Sequence, residues 1–132
     1  MEWTEKYATG IPQLDDQHRT LFRMTSDFRL ALDEGKGDRV YGNLLQSLDL
    51  YARSHFRFEE GCMVKYACPA LDSNRAAHRN FVDALSRYQK KFSTSGFTPT
   101  DGRDLVDHLD TWLDTHIGNL DTQLQKAVEA AG

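Results

Sequence analysis

The sequence predicts an all-α protein, an up-down-up-down four-helix bundle with an N-terminal arm. Apolar residues recur at helical spacing: Leu21, Met24, Phe28 and Leu32, then Leu44, Leu48, Tyr51 and Phe58. Phe81, Leu85 and Tyr88 follow, and then Leu105, Leu109, Trp112 and Leu113. Three segments rich in turn-forming residues, "DEGKGD" (33–38), "ACPALDS" (67–73) and "STSGFTPT" (93–100), cut the chain into four stretches. Each is long enough for a helix of roughly 20 to 28 residues, and short loops between long helices favour an antiparallel bundle. No run alternates apolar and polar residues as a half-buried strand would.

The elements follow in order. Residues 1–14, with Trp3 and Tyr7, form an arm packed across the bundle. Asp15 or Asp16 is expected to cap the first helix, Asp38 the second, and Asp72 or Ser73 the third. Thr98 before Pro99 fits the cap and first position of the fourth. The ending "LQKAVEAAG" continues the fourth helix without a clear stop before Gly132. That suits a sensory module placed before an output domain as well as a short terminus.

Size and composition bound the function. The 132 residues make one domain, 1–132, with 39% apolar and 27% charged residues, as in a globular chain. No stretch approaches the roughly 18 apolar residues of a membrane span. The start "MEWTEKYATG" lacks the basic and apolar regions of a secretory signal, so a cytoplasmic location is expected, without membrane insertion. A net charge of −4 gives no electrostatic reason to expect nucleic acid. Cys62 and Cys68 are expected to be reduced thiols that simply pack.

Histidine placement points to a site. Antiparallel helices bring residues to one level when they lie equally far from the connecting loop. With loop centres at 36.5 and 97, His18 and His55 are each 18.5 residues away, and His78 and His116 each 19. Glu59 lies one turn after His55 on the same face. Asp121 follows His116 by five residues, about 140° away on a straight helix, so a bend or π-type bulge near Gly118 and Asn119 would bring it round. A single inward histidine is ordinarily a satisfied core residue. Four at one level with two carboxylates are costly to bury unless paired or metal-bound. Imidazole and carboxylate on facing helices are the chemistry of a di-iron or di-manganese centre.

At these residues the chain resembles the hemerythrin family, its bacterial members in particular. The pieces are "GIPQLDDQH" ending in His18, "HFRFEE" with His55 and Glu59, "HRNF" with His78, and "WLDTHIGNLD" with His116 and Asp121. A lead-in of Trp3, Tyr7 and Gly10, and "MVKYACP" before the third helix, also match. The resemblance implies two non-haem iron ions, oxo- or hydroxo-bridged when oxidised. His18 and His55 would bind one iron, His78 and His116 the other, and Glu59 and Asp121 would bridge them. The family places a further histidine four residues before His78, where this chain has Asn74, a vacant or weak ligand position. His108 cannot replace it, lying about 12 Å along the axis from His116 and roughly 80° round.

The resemblance further implies an apolar ligand pocket of Trp112, Leu113 and Ile117, to which Phe56 and Phe81 add shielding. The expected ligand is O2 or another small diatomic or anionic molecule. Asn74 turns the expectation from a carrier towards an oxygen or redox sensor that controls an attached or partner signalling domain. The alternatives are an O2 store and a di-iron oxidase, peroxidase or nitric-oxide-handling enzyme.

Overall fold

The computed structural model describes residues 2–132, apart from the side chains of Leu120 and Asp121. Its helices are α1 (Pro12–Asp33), α2 (Gly37–Lys65), α3 (Leu71–Ser95), α4 (Pro99–Trp112) and α5 (Gly118–Ala131). A π-helical turn, Leu113–Ile117, joins α4 to α5, so these form one long fourth rod. The result is the expected four-helix bundle, and no helix among the described residues is long and apolar enough to cross a membrane.

The helix starts only partly follow expectation. Thr98 caps α4, its hydroxyl accepting the Asp101 amide at 3.1 Å, with Pro99 in the first turn. The first helix starts earlier than Asp15, at Pro12, whose fixed φ already suits a first helical residue. Asp15 instead accepts the amide and hydroxyl of Thr9, at 2.9 and 2.8 Å, and ties the arm to α1. Asp38 and Asp72 lie inside their first turns rather than at the caps. There a negative charge still favours the helix dipole. Gly35 (φ 74°) and Gly96 (φ 75°) supply the left-handed residues that reverse the chain after α1 and α3.

The arm carries a short 3-10 turn, Glu5–Tyr7, and crosses the bundle as expected. Tyr7 is buried against Phe22, ring centres 5.0 Å apart, and its hydroxyl donates to Asp114 at 3.0 Å. Trp3 lies under the Arg19 guanidinium at 4.0 Å. The large apolar cluster, with Leu48, Phe56, Phe81 and Leu109, fills the end of the bundle that holds the α1–α2 and α3–α4 loops. A smaller one of Leu14, Met63, Cys68, Ala70 and Leu124 closes the other end. Between them lies one polar layer: His18, His55, Glu59, Asn74, His78 and His116, all buried. Both cysteines are free thiols, Cys68 buried and Cys62 partly so.

Candidate metal centre

Each rod delivers its share of the polar layer because the apolar stripe that faces the core passes through these positions. His18 follows Leu14 by one turn, Glu59 follows His55, and His78 follows Asn74. The first loop is centred nearer residue 35 than 36.5, which leaves His18 and His55 out of level by three residues. Side chains lean towards the N-terminus of their own helix. His18 therefore leans away from the loop and His55 towards it, and their rings meet at 4.6 Å.

Glu59 is the hub. Its Oε2 faces His18 Nε2 at 2.9 Å and His55 Nε2 at 3.5 Å. Its Oε1 faces His78 Nε2 at 3.1 Å and His116 Nε2 at 3.8 Å. Two three-residue groups result, His18–His55–Glu59 and Glu59–His78–His116, each with donor atoms within 4.8 Å of one another. One carboxylate divides its two oxygens between two histidine pairs.

The outer nitrogens are held from neighbouring helices. His55 Nδ1 lies 2.7 Å from the Gln17 amide oxygen, and His78 Nδ1 lies 2.9 Å from Glu60 Oε2. Both partners accept, so Nδ1 carries the proton and Nε2 presents its lone pair inward. Glu60 is braced in turn by Arg75 Nε at 3.2 Å. Burial pushes His55 down to about 3, against the pull of Glu59. Burial also outweighs Glu59 at His116 and lowers it. For Glu59, burial acts upward, but the surrounding histidines outweigh it and hold the carboxyl well below its usual range. His55 and His116 are therefore held neutral and Glu59 ionised, the protonation states a cation needs.

A cation fits this donor set. His78 faces a carboxylate on each side, and a neutral ring can donate to only one of them. Oxygen and nitrogen donors set at right angles about 2.1 Å from a small divalent ion would stand ~3.0 Å apart. The observed 2.9 to 3.8 Å brackets that spacing. Among the described residues His116 Nε2 has no hydrogen-bond partner of its own.

Residues 9–128 match the family described as the hemerythrin HHE cation binding domain. The chain belongs to the hemerythrin family. It is 29% identical over 126 residues to the bacteriohemerythrin of Pseudomonas aeruginosa, covering 96% of this chain and 80% of that one. Against the bacteriohemerythrin of Methylococcus capsulatus the identity is 29% over 122 residues, covering 92% and 91%. A hemerythrin polypeptide of Sipunculus nudus is 25% identical over 119 residues, covering 90% and 86%. A crystal structure of a hemerythrin mutant superposes with a TM-score of 0.73 at 25% identity, over 95% of this chain and 97% of that one. The cofactor is accordingly a di-iron centre, as hemerythrins bind, and the family's ligand is O2.

The structure brings together His18, His55, Glu59, His78 and His116 from the expected set. The side chain of Asp121 lies outside the described residues. The irregular turn is at Leu113–Ile117, not at Gly118 and Asn119, so His116 itself sits inside it. A π turn takes up an extra residue, and everything after it is rotated relative to a straight helix. His108 is exposed beside Tyr88, away from the polar layer.

Asn74 is fully buried in the second group. Its Nδ2 donates to Glu59 Oε1 at 2.8 Å and to Met63 Sδ at 3.0 Å, while its Oδ1 has no partner among the described residues. From this position a hydrogen-bond donor therefore points at the carboxylate that both histidine pairs share.

Aromatic rings wall the loop-proximal side. Phe56 stacks on His78 with centres 3.8 Å apart, and Trp112 on His116 at 4.2 Å. Phe81 packs edge-on to Phe56 at 5.6 Å. Phe56, Phe81, Trp112 and Leu113 also line a cavity of about 10 Å³, room for one water at most. Its one hydroxyl, Thr25, donates to the Leu21 carbonyl, so the cavity has little to hold water with. Ile117 is buried but does not line it. Gln17, Glu60, Arg75 and Met63 are site residues that helix periodicity alone does not find.

Proposed function

We propose that this domain senses oxygen or redox state at a six-ligand di-iron centre rather than carrying oxygen. His18 and His55 would hold one iron, and His78 and His116 the other, with Glu59 and Asp121 shared between them. When bound, the reduced pair supplies electrons to O2 or a related small ligand.

The observation that carries the reading is Asn74. Its amide donates to the shared carboxylate and offers no imidazole lone pair, so an iron held by His78 and His116 would have a position left for water or an added ligand. An open position favours the oxidised state and a reactive response over a long-lived oxygen adduct. Gln17 and Glu60 fix the His55 and His78 rings, while Phe56 and Trp112 keep solvent off the faces of His78 and His116. The arm gives such a change somewhere to go: Tyr7 binds Asp114 inside the π turn that holds His116. An attached or partner signalling module is the receiver in this reading.

The small apolar cavity beside Trp112 supports a second reading, an oxygen store, since excluding water slows autoxidation. Visible spectra of the iron-loaded protein, reduced and returned to air, separate the two. Rapid reoxidation supports a sensor, and an oxygenated form lasting many minutes sinks it. Asn74→His should lengthen the life of that form; an unchanged lifetime would make Asn74 incidental. One metal per chain overturns the di-iron reading altogether.

A further inference from the structure

Outside the polar layer, the seam between α2 and α3 opens into a groove of about 480 Å³, within the range of small-ligand sites. Arg53 and Arg57 line it from α2, and Arg75 and Arg79 from α3. Each pair is spaced by four residues, so both pairs face the same seam. Four guanidinium groups meet two carboxylates there, Glu60 and Asp83, in a chain whose net charge is −4. Arg53 is held by Asp49 at 2.8 Å and Arg75 by Glu60 at 3.2 Å. Arg57 and Arg79 have no ion pair among the described residues. The floor is Phe56 and His78, the stacked pair of which His78 belongs to the metal centre.

We infer that this groove binds a small multivalent oxyanion of the phosphate class, and that Arg75 passes the signal of its binding through Glu60 to His78. Arginine rather than lysine lines the groove, and its planar fork matches phosphate oxygens two at a time. Arg57 and Arg79 face each other across one seam without carboxylate partners among the described residues, which fits a compact multivalent anion. Glu60 is shared: its Oε1 takes Arg75 and its Oε2 takes His78 Nδ1. An oxyanion that draws Arg75 away leaves Glu60 to act more strongly on the Nδ1 proton. That makes the His78 ring a more basic ligand and favours the oxidised centre.

The groove itself is independent of the di-iron reading, whereas the relay rests on it. Inorganic pyrophosphate is the probe, titrated calorimetrically into the iron-loaded protein at low ionic strength, with chloride as control. One saturable site per chain is expected, weakened about tenfold or more in Arg57→Gln/Arg79→Gln. Absent binding, or binding that ignores both substitutions, overturns the groove. Pyrophosphate should also lower the midpoint potential of the centre, and Glu60→Gln should keep the binding but lose most of that shift. A shift that survives Glu60→Gln, or none in the native protein, overturns the relay. A chain that takes up no iron removes the relay with the di-iron reading, and the same titration of the metal-free protein then decides the groove.

Discussion

Glu59 carries more of the site than any other residue, because both histidine pairs converge on it. It sits 2% exposed with an oxygen turned to each pair. Glu59→Gln keeps the shape but removes the charge that offsets two cations. Metal analysis should find both irons depleted together, and loss of just one would show that the carboxylate does not bridge. Glu59 was legible in the sequence because it lies one turn from His55 on an inward face. Gln17 and Glu60 were not, since they reach His55 and His78 from other helices and no spacing within one helix encodes that meeting. Asn74 was legible only as a gap in a pattern. Its two hydrogen bonds, to Glu59 and Met63, needed the fold.

At the scale of the element, boundaries depended on which local signal won. Thr98 and Pro99 agreed with each other, and the helix starts there. Thr98→Ala removes the bond to the Asp101 amide and should cost about 1 kcal/mol, read by urea denaturation. At α1, Pro12 outweighed Asp15, and the aspartate was released to hold Thr9. The π turn was harder to place. Gly118 marked the region, but the irregularity lies in the five residues before it, where no glycine or proline announces it. Stacking of Trp112 on His116 and the grip of Tyr7 on Asp114 are tertiary contacts, and they surround that turn.

For the whole molecule, the polar layer lies between two apolar clusters and weakens the fold in acid when no metal is bound. His55 titrates near 6.5 in the unfolded chain and is held at about 3 by burial in the folded one. Below about pH 6.5 the unfolded chain takes up a proton that the folded chain refuses, so stability falls as the pH drops. The expected slope is about 1.4 kcal/mol per pH unit for His55. His116 adds to it in the same direction. Glu59, held low, contributes stability above its ordinary range near 4.5 and loses it as the pH falls further. Urea titrations of metal-free protein at pH 7.5 and 5.5 test this; equal midpoints would contradict it. The bundle itself was legible because apolar periodicity is a property of each helix alone.

Both tryptophans of the chain stand at informative places, which gives the molecule two built-in optical reporters. Trp112 lies flat on His116, at the edge of the proposed centre, whereas Trp3 is on the arm beneath Arg19. Iron uptake should quench the emission of Trp112, and Trp3→Phe leaves that response alone in view. In Trp112→Phe the remaining fluorescence follows the arm. If it changes between the reduced and oxidised protein, the events at His116 reach the N-terminus; a constant signal would confine them to the bundle.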